Sequence, residues 1–165
     1  MILDKELKPI NHNILKAFDR VYSLMKNEDI DWVLTGSLSF FLQGIDMAVK
    51  DIDIQSSRNG IYKIQDVLSP FVTRPVVYSE SNGIRSYFGK AEMDNTTIEL
   101  MGDIERSTDG ITWTAPINIA QSRCWIVYRN MEIPVLDLKY EYQAYRELGR
   151  DAKADLIKMH MRRTT

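Results

Sequence analysis

The sequence contains a single cysteine among its 165 residues, so no disulfide can form within one chain. Small secreted folds that depend on disulfides are therefore excluded, and a reducing, cytoplasmic location is the expectation. The cysteine belongs to the apolar run Cys124–Val127, and we expect it to be a core residue rather than a nucleophile.

Long hydrophobic runs are also missing. No window approaches the roughly 18 consecutive apolar residues that a membrane-spanning helix needs. The segment Met1–Pro9 mixes charged and apolar side chains and lacks the continuous apolar stretch of a secretory signal. We therefore expect no membrane partner.

The chain has no surplus of positive charge, because 21 Lys and Arg residues face 23 Asp and Glu residues. A protein that binds extended DNA or RNA usually carries a basic surplus that displaces counterions. The charge balance favours a small molecule or a protein as the partner. With 44% hydrophobic residues and no repeat or low-complexity segment, residues 1–165 are expected to form one domain.

The predicted secondary structure indicates a mixed α/β, or α+β, domain. Three early helices are predicted at Asn11–Asn27 (capped by Asn11 or Asn13), Leu38–Gln43 and Tyr62–Leu68. Single strands are predicted at Trp32–Thr35, Asp51–Gln55 and Val76–Tyr78, and two hairpins pair Arg85–Glu92 with Thr96–Met101 and Cys124–Tyr128 with Met131–Val135. A helical tail, about residues 137–162, follows, with one helix ended by Gly149 and a second, Ala152–Met161, capped by Asp151. This order predicts a partly antiparallel sheet flanked by helices.

Two aspartates form the first candidate site. Asp51 and Asp53 lie two residues apart on a predicted strand, so their side chains project from the same face. Neighbouring carboxylates repel each other unless a cation lies between them. Mg²⁺ prefers oxygen ligands and binds through one or two carboxylates plus substrate phosphates. The pair therefore fits a Mg²⁺ site, although a solvated strand edge has the same pattern.

A second feature is the Gly36-Ser37 pair between a buried strand and a helix. The free N–H groups at a helix start attract phosphate, and glycine lets a ligand approach the backbone closely. Serine can donate to a phosphate oxygen. The alternative interpretation is a tight turn in which Ser37 only caps the helix.

A third carboxylate is expected from the strand around Glu99, where Ile98 and Leu100 face one side and Glu99 faces the other. If this strand lies next to the one carrying Asp51 and Asp53, the three carboxylates could hold two metal ions about 4 Å apart. Asp103 is an alternative, provided that the strand continues past Gly102, and an exposed strand residue is the simpler interpretation of Glu99.

Together these parts resemble the signature of the polymerase-β-like nucleotidyltransferase superfamily. The matching residues are Leu34–Ser37, Asp51–Ile54 and Ile98–Leu100, and the resemblance covers about Ile30–Asp103. The segment Ala144–Leu156 is similar to the helical end of small bacterial and archaeal members. Those members include antibiotic nucleotidyltransferases and uncharacterised stand-alone domains, and the chain is most similar to the stand-alone group.

The resemblance implies a nucleotidyltransferase fold and a role for each matching residue. Gly36 and Ser37 would hold the β- and γ-phosphates of a nucleoside triphosphate. Asp51 and Asp53 would coordinate Mg²⁺, with two ions expected when the nucleotide is bound. Glu99 would bind the second ion and activate an acceptor hydroxyl. The family often has Asp at this third position, whereas this chain has Glu, which is one methylene longer.

The implied reaction transfers a nucleoside monophosphate to a hydroxyl of a small molecule or protein and releases pyrophosphate. Two alternatives remain: a catalytically silent nucleotide-binding or regulatory module, and a protein partner of the toxin–antitoxin type. Fold alone does not decide among them. No acceptor-binding domain is apparent, so a homodimer or a partner chain could complete the site.

Several other side chains are secondary candidates. Positive charge for a triphosphate could come from Lys50, Arg58, Arg85 and Lys90, although such residues usually lie on the surface. Base stacking could come from Tyr140, Tyr142 and Tyr145, of which the last two have the spacing of core residues with Leu138 and Leu148. No catalytic role is expected for His12 or His160.

Overall fold

The computed structural model describes residues 10–165, and the segment Met1–Pro9, on which the expected lack of a signal depends, lies outside it. The helices of the described part are α1 (His12–Met25), α2 (Gly36–Leu42), α3 (Arg58–Val67), α4 (Ile119–Ser122), α5 (Leu138–Glu147) and α6 (Asp151–Thr164). The strands are β1 (Trp32–Thr35), β2 (Ile52–Ser56), β3 (Val72–Ser81), β4 (Ile84–Met93), β5 (Thr96–Arg106), β6 (Arg123–Tyr128) and β7 (Met131–Leu136). A short 3₁₀ turn, Ser69–Phe71, joins α3 to β3.

All these strands form one sheet in the order β3-β4-β5-β2-β1-β7-β6. Strand β1 is antiparallel to β2 and parallel to β7, whereas β2 is parallel to β5. The remaining neighbours pair as antiparallel hairpins. The predicted fold class, a mixed and partly antiparallel sheet flanked by helices, is confirmed.

The main core lies between one face of the sheet and the helices α1 and α3. Ile52 and Ile54 of β2 and Ile98 and Leu100 of β5 are fully buried in it, beside Phe18 of α1. Because side chains alternate along a strand, the residues between these positions point to the opposite face. The core therefore determines which side chains of β2 and β5 are left for the other side of the sheet.

The helix starts have identifiable causes. Asn11 caps α1, since its side-chain oxygen accepts a hydrogen bond from the N–H of Asn13 at 2.9 Å. Ser57 caps α3 by accepting from the N–H of Gly60 at 3.0 Å, so α3 begins at Arg58 rather than at the predicted Tyr62. The start of this helix was predicted too late because the first apolar residues with helical spacing lie several positions after Ser57.

Other boundaries differ from the predictions for local reasons. Helix α2 begins at Gly36 instead of Leu38, because a positive φ of 70° at Gly36 turns the chain directly out of β1. Asp151 is the first residue of α6 and not its cap; its carboxylate lies 3.0 Å from the guanidinium of Arg146. Strand β3 extends well beyond Val76–Tyr78 because its polar residues pair with β4 at an exposed edge.

The helical tail packs on α2 from the far side of the sheet. Phe40 of α2 lies in a small buried cluster with Ile45 and with Ile157 of α6. Tyr145 of α5 contacts the same cluster, with its ring centroid 5.8 Å from that of Phe40. Among the described residues, no helix combines the length and the apolar character needed to cross a bilayer.

Candidate active site

Three carboxylates meet where β2 and β5 run side by side. Asp53 and Glu99 are direct neighbours in the parallel register of these strands, and Asp51 immediately precedes β2. Each of the three offers an oxygen, and these oxygens all lie within 4.8 Å of one another. The alternation that buries Ile52 and Ile98 on one face produces this cluster on the other.

The cluster carries unfavourable negative charge. Burial, then the charges of Asp51 and Glu99, raise the pKa of Asp53 well above its ordinary value. Burial, then Glu99, also raise the pKa of Asp51. A cation would remove this repulsion, and three carboxylate oxygens are the ligand type that Mg²⁺ prefers. The donor set therefore fits a divalent hard cation.

Asp103, the alternative third carboxylate, lies away from this cluster. Its backbone has a positive φ of 47°, at an irregular point in the pairing of β4 with β5 between Gly102 and Glu105. The strand continues past Gly102, but the alternation expected there is broken. The structure thus brings Glu99 to the aspartate pair.

Gly36 is packed directly against one of the carboxylates. A Cβ added at this residue would lie 2.2 Å from Oδ2 of Asp53, and its φ of 70° is one that side-chain-bearing residues rarely adopt. Ser37 follows as the second residue of α2 and is half-buried. The start of α2 therefore packs directly against the carboxylate cluster.

A fourth carboxylate, not predicted from the sequence, reaches the same turn from α5. Glu141 is almost completely buried and accepts hydrogen bonds from the hydroxyl of Thr35 and, at 3.2 Å, from the N–H of Gly36. Burial raises its pKa to about 7. Glu141 lies on the inward stripe between Leu138 and Tyr145, and an acid on an apolar stripe was the available signal.

Two of the candidate cations lie near the carboxylates. The Nζ of Lys90 is 3.4 Å from an oxygen of Glu99, as expected from the direct pairing of these residues across β4 and β5. Lys50 is adjacent to Asp51 in sequence, and its charge counteracts the rise of the Asp51 pKa. Lys90 is thus placed to compensate the negative charge of the cluster.

The other two cations are occupied elsewhere. The guanidinium of Arg85 forms an ion pair with Glu105, and that of Arg58 lies 4.9 Å from the ring centroid of Tyr87.

The free thiol of Cys124 is half-buried beside the core, and burial raises its pKa, which disfavours the thiolate.

A cleft of about 710 Å³ opens over two of the three carboxylates, Asp53 and Glu99, and its volume is within the range of small-molecule sites. Its walls include Asp53, Glu99 and Lys90 on the sheet and Tyr140 and Tyr145 on α5. Tyr142 instead packs with the buried cluster around α2. The cleft can therefore accommodate a molecule in contact with the carboxylate oxygens.

Similarity to known proteins identifies the family and the fold of the chain. The model of the aminoglycoside-2″-adenylyltransferase family matches residues 17–161. A search among curated proteins found no significant match.

A solved structure of a Thermotoga maritima protein, TM1012, provisionally described as a nucleotidyltransferase, is 39% identical and superposes with a TM-score of 0.81. That match covers 94% of this chain and 96% of the other. The structure of ANT(2″)-Ia in complex with adenylyl-2″-tobramycin shares the fold at 9% identity, with a TM-score of 0.51 and coverage of 92% and 98%. Because the family model spans most of the chain, the protein belongs to the aminoglycoside-2″-adenylyltransferase family and has the nucleotidyltransferase fold.

Proposed function

We propose that the protein is a Mg²⁺-dependent nucleotidyltransferase. It transfers a nucleoside monophosphate from a nucleoside triphosphate to a hydroxyl of a small molecule or protein and releases pyrophosphate. The observation that carries this proposal is the cluster of Asp51, Asp53 and Glu99, whose oxygens lie within 4.8 Å of one another; Asp53 and Glu99 also line the cleft.

In this proposal Asp51 and Asp53 hold Mg²⁺, and Glu99 completes the ligand set for a second ion. The metal ions would neutralise phosphate charge and polarise the phosphorus centre under attack. Burial, and then the like charges of Asp51 and Glu99, raise the pKa of Asp53, and both effects support a cation here because the charged form of the carboxylate gains most from one.

The phosphates that leave are assigned to the turn between β1 and α2. Ser37 offers its N–H and hydroxyl there, and the absence of a side chain on Gly36 leaves room beside Asp53. The ammonium of Lys90 lies on the opposite side of the carboxylate cluster, beside Glu99, where it can contact a phosphate oxygen.

The reaction is an in-line displacement at the α-phosphorus. The acceptor oxygen forms a bond to phosphorus as the bond from phosphorus to the bridging oxygen of pyrophosphate breaks. The acceptor loses its proton, for which Glu99 is the proposed base. Lys90 lies 3.4 Å from Glu99 and can hold this carboxylate in position.

The acceptor is proposed to be a hydroxylated small molecule in the first instance, since the cleft volume of about 710 Å³ suits one. The structure of ANT(2″)-Ia contains adenylyl-2″-tobramycin, so tobramycin is a rational first acceptor to assay. Related hydroxylated antibiotics and sugars would complete the panel.

The test combines pyrophosphate release with binding. The wild-type protein is incubated with each labelled NTP, Mg²⁺ and the acceptor panel, and the same assays are made on Asp51→Asn, Asp53→Asn and the control Asp103→Asn. We expect turnover with at least one NTP. The first two variants should lose about 100-fold or more, as expected when a major electrostatic contribution is removed. Asp103→Asn should stay within about twofold of the wild type, because asparagine tolerates a positive φ.

Other outcomes distinguish the alternatives. Tight Mg·NTP binding without pyrophosphate release for any acceptor would favour the catalytically silent module. Mg·NTP binding that persists unchanged in Asp51→Asn and Asp53→Asn would show that the site is wrongly assigned. Turnover that appears only after a co-purifying protein is added back would favour the partner-dependent alternative.

A further inference from the structure

Glu141 is a buried carboxylate without a matching role in the proposed chemistry. It is 3% exposed and lies on the inward side of α5. Burying an ionisable group is costly unless hydrogen bonds or an opposite charge compensate it. Thr35 and Gly36 both donate hydrogen bonds to the same oxygen of Glu141, Oε1. A carboxylate in this position needs an explanation beyond packing.

The two donors belong to the turn that the metal ligands contact. Thr35 is the direct register partner of Asp53 across β1 and β2. Gly36 packs so closely on Asp53 that a Cβ there would lie 2.2 Å from Oδ2. A shift of this turn would therefore displace the Asp53 carboxylate or leave a gap behind it.

Glu141 is distinct from the metal-ligand set. Asp51, Asp53 and Glu99 are the residues whose oxygens come within 4.8 Å of one another, and Glu141 is not among them. Its Oε1 already accepts two hydrogen bonds. The contact joins residues 105 and 106 positions apart, so it connects the helical tail to the start of the site.

We propose that Glu141 is a positioning residue: its Oε1 fixes the β1–α2 turn, and through Gly36 it fixes the Asp53 carboxylate for metal and nucleotide binding. This inference rests on the proposed function, since it names a residue on which that site depends. Packing of Tyr145 against Phe40, at 5.8 Å between ring centroids, holds the same two helices together one turn further along.

The test compares three variants by calorimetric binding of Mg²⁺ with a non-hydrolysable NTP and by steady-state kinetics. Glu141→Gln keeps a carbonyl oxygen that can accept both hydrogen bonds while removing the charge, so its affinity should stay within about twofold of the wild type. Glu141→Ala removes the acceptor, and the Kd for Mg·NTP should rise by about 10- to 100-fold, as for other residues that orient metal ligands.

Thr35→Val covers the case in which Glu141→Ala fails to fold, because it removes one donor with little change of shape. Its Kd should rise by about three- to tenfold, the scale of one lost hydrogen bond. KM for Mg·NTP should follow Kd in each variant. In a folded double variant, Glu141→Ala with Thr35→Val should be no worse than Glu141→Ala alone.

The results separate this inference from the proposed function. A Glu141→Gln variant as impaired as Glu141→Ala would show that the charge is required, and would make Glu141 a ligand or a base instead. A folded Glu141→Ala or Thr35→Val variant that binds like the wild type would overturn the positioning role alone. A wild-type protein that binds no Mg·NTP would overturn the proposed function and this inference with it.

Discussion

At the scale of single residues, the candidate site is organised around the contact of Gly36 with Asp53. This position imposes two requirements, a φ of 70° and no room for a Cβ, and glycine is the amino acid that meets both. Gly149 has nearly the same φ, 71°, but an added Cβ there would contact nothing within 4 Å. A comparison of substitutions at the two glycines therefore distinguishes the conformational cost of adding a side chain from its effect on the site.

Substituting each glycine by alanine should reveal this difference. Both variants should lose about 1 kcal/mol of unfolding free energy, the cost of a positive φ in a residue with a Cβ. In Gly36→Ala the new methyl group must also displace the Asp53 carboxylate, so we expect Mg·NTP affinity to fall by about tenfold or more. Gly149→Ala should bind like the wild type.

Thermal unfolding and calorimetric titration of the two variants provide the measurements. Equal nucleotide affinity in Gly36→Ala and Gly149→Ala would contradict the close packing of Gly36 on a proposed metal ligand.

At the scale of elements, the regular alternation of apolar residues carried most of the prediction. It placed Asp53 and Glu99 on the face opposite the core, whereas β1 was predicted with its observed bounds from a continuous apolar run. Strand β3 was predicted too short because an edge strand with polar residues on both faces has no such alternation. That β2 and β5 are neighbours depends on pairing between distant segments, which the sequence suggested only through a family resemblance.

For helix α5, the prediction from the sequence was incomplete for a different reason. The spacing of its apolar residues predicts a buried stripe, formed by Leu138, Tyr142, Tyr145 and Leu148. The pattern does not predict the burial of Glu141, because acids are usually exposed. The two residues that donate hydrogen bonds to the buried Glu141, Thr35 and Gly36, are more than 100 residues away in the sequence. Such a long-range contact has no local pattern by which it could be predicted.

Glu141 should make unfolding free energy depend on pH. Its pKa is raised from 4.5 to about 7 in the folded protein, so the folded state holds this proton more tightly than the unfolded chain. The free energy of unfolding should therefore fall as pH rises from about 4.5 to about 7, by an amount on the order of 3 kcal/mol from this group. Below that window the group is neutral in both states and has no effect.

The measurement is denaturant unfolding of the wild type and Glu141→Gln in metal-free buffer across this pH range. Glutamine cannot ionise, so the variant should gain stability relative to the wild type as pH rises. Parallel curves for the two proteins would show that Glu141 does not titrate in this window.

At the scale of the whole molecule, the site occupies the middle of a sheet whose other face is the main core. The like-charged cluster is therefore supported by the most buried part of the protein, which can tolerate local repulsion without unfolding. Metal binding should relieve that repulsion and stabilise the folded state as a whole, since a ligand that binds only the native protein shifts the unfolding equilibrium.

Asp53→Asn should accordingly have opposite effects with and without metal. In metal-free buffer near pH 7 it removes one like charge from the cluster, and the melting temperature should rise by about 2–4 °C, corresponding to about 1 kcal/mol. In the wild type, Mg·NTP at 100 times Kd should add about 2.7 kcal/mol, a gain that the variant should lose.

Scanning calorimetry with and without Mg·NTP tests both effects, with Asp103→Asn, on the neighbouring strand β5 but away from the cluster, as the matched control. Because the pKa values of Asp51 and Asp53 are raised, Mg²⁺ affinity of the wild type should also increase with pH as these groups ionise. A metal-free Asp53→Asn variant that melts below the wild type would argue against repulsion in the cluster.

The contact between Thr35 and Glu141 also has a consequence for synthesis of the chain. Glu141 is 42 residues beyond Glu99 in the sequence, so the ribosome adds it about 2–8 s later at ordinary rates of translation. During that time a nascent chain contains every proposed metal ligand but not the helix that is proposed to fix the turn beside them. Nucleotide affinity should therefore be acquired late and in one step, when α5 docks on a sheet that is already largely assembled.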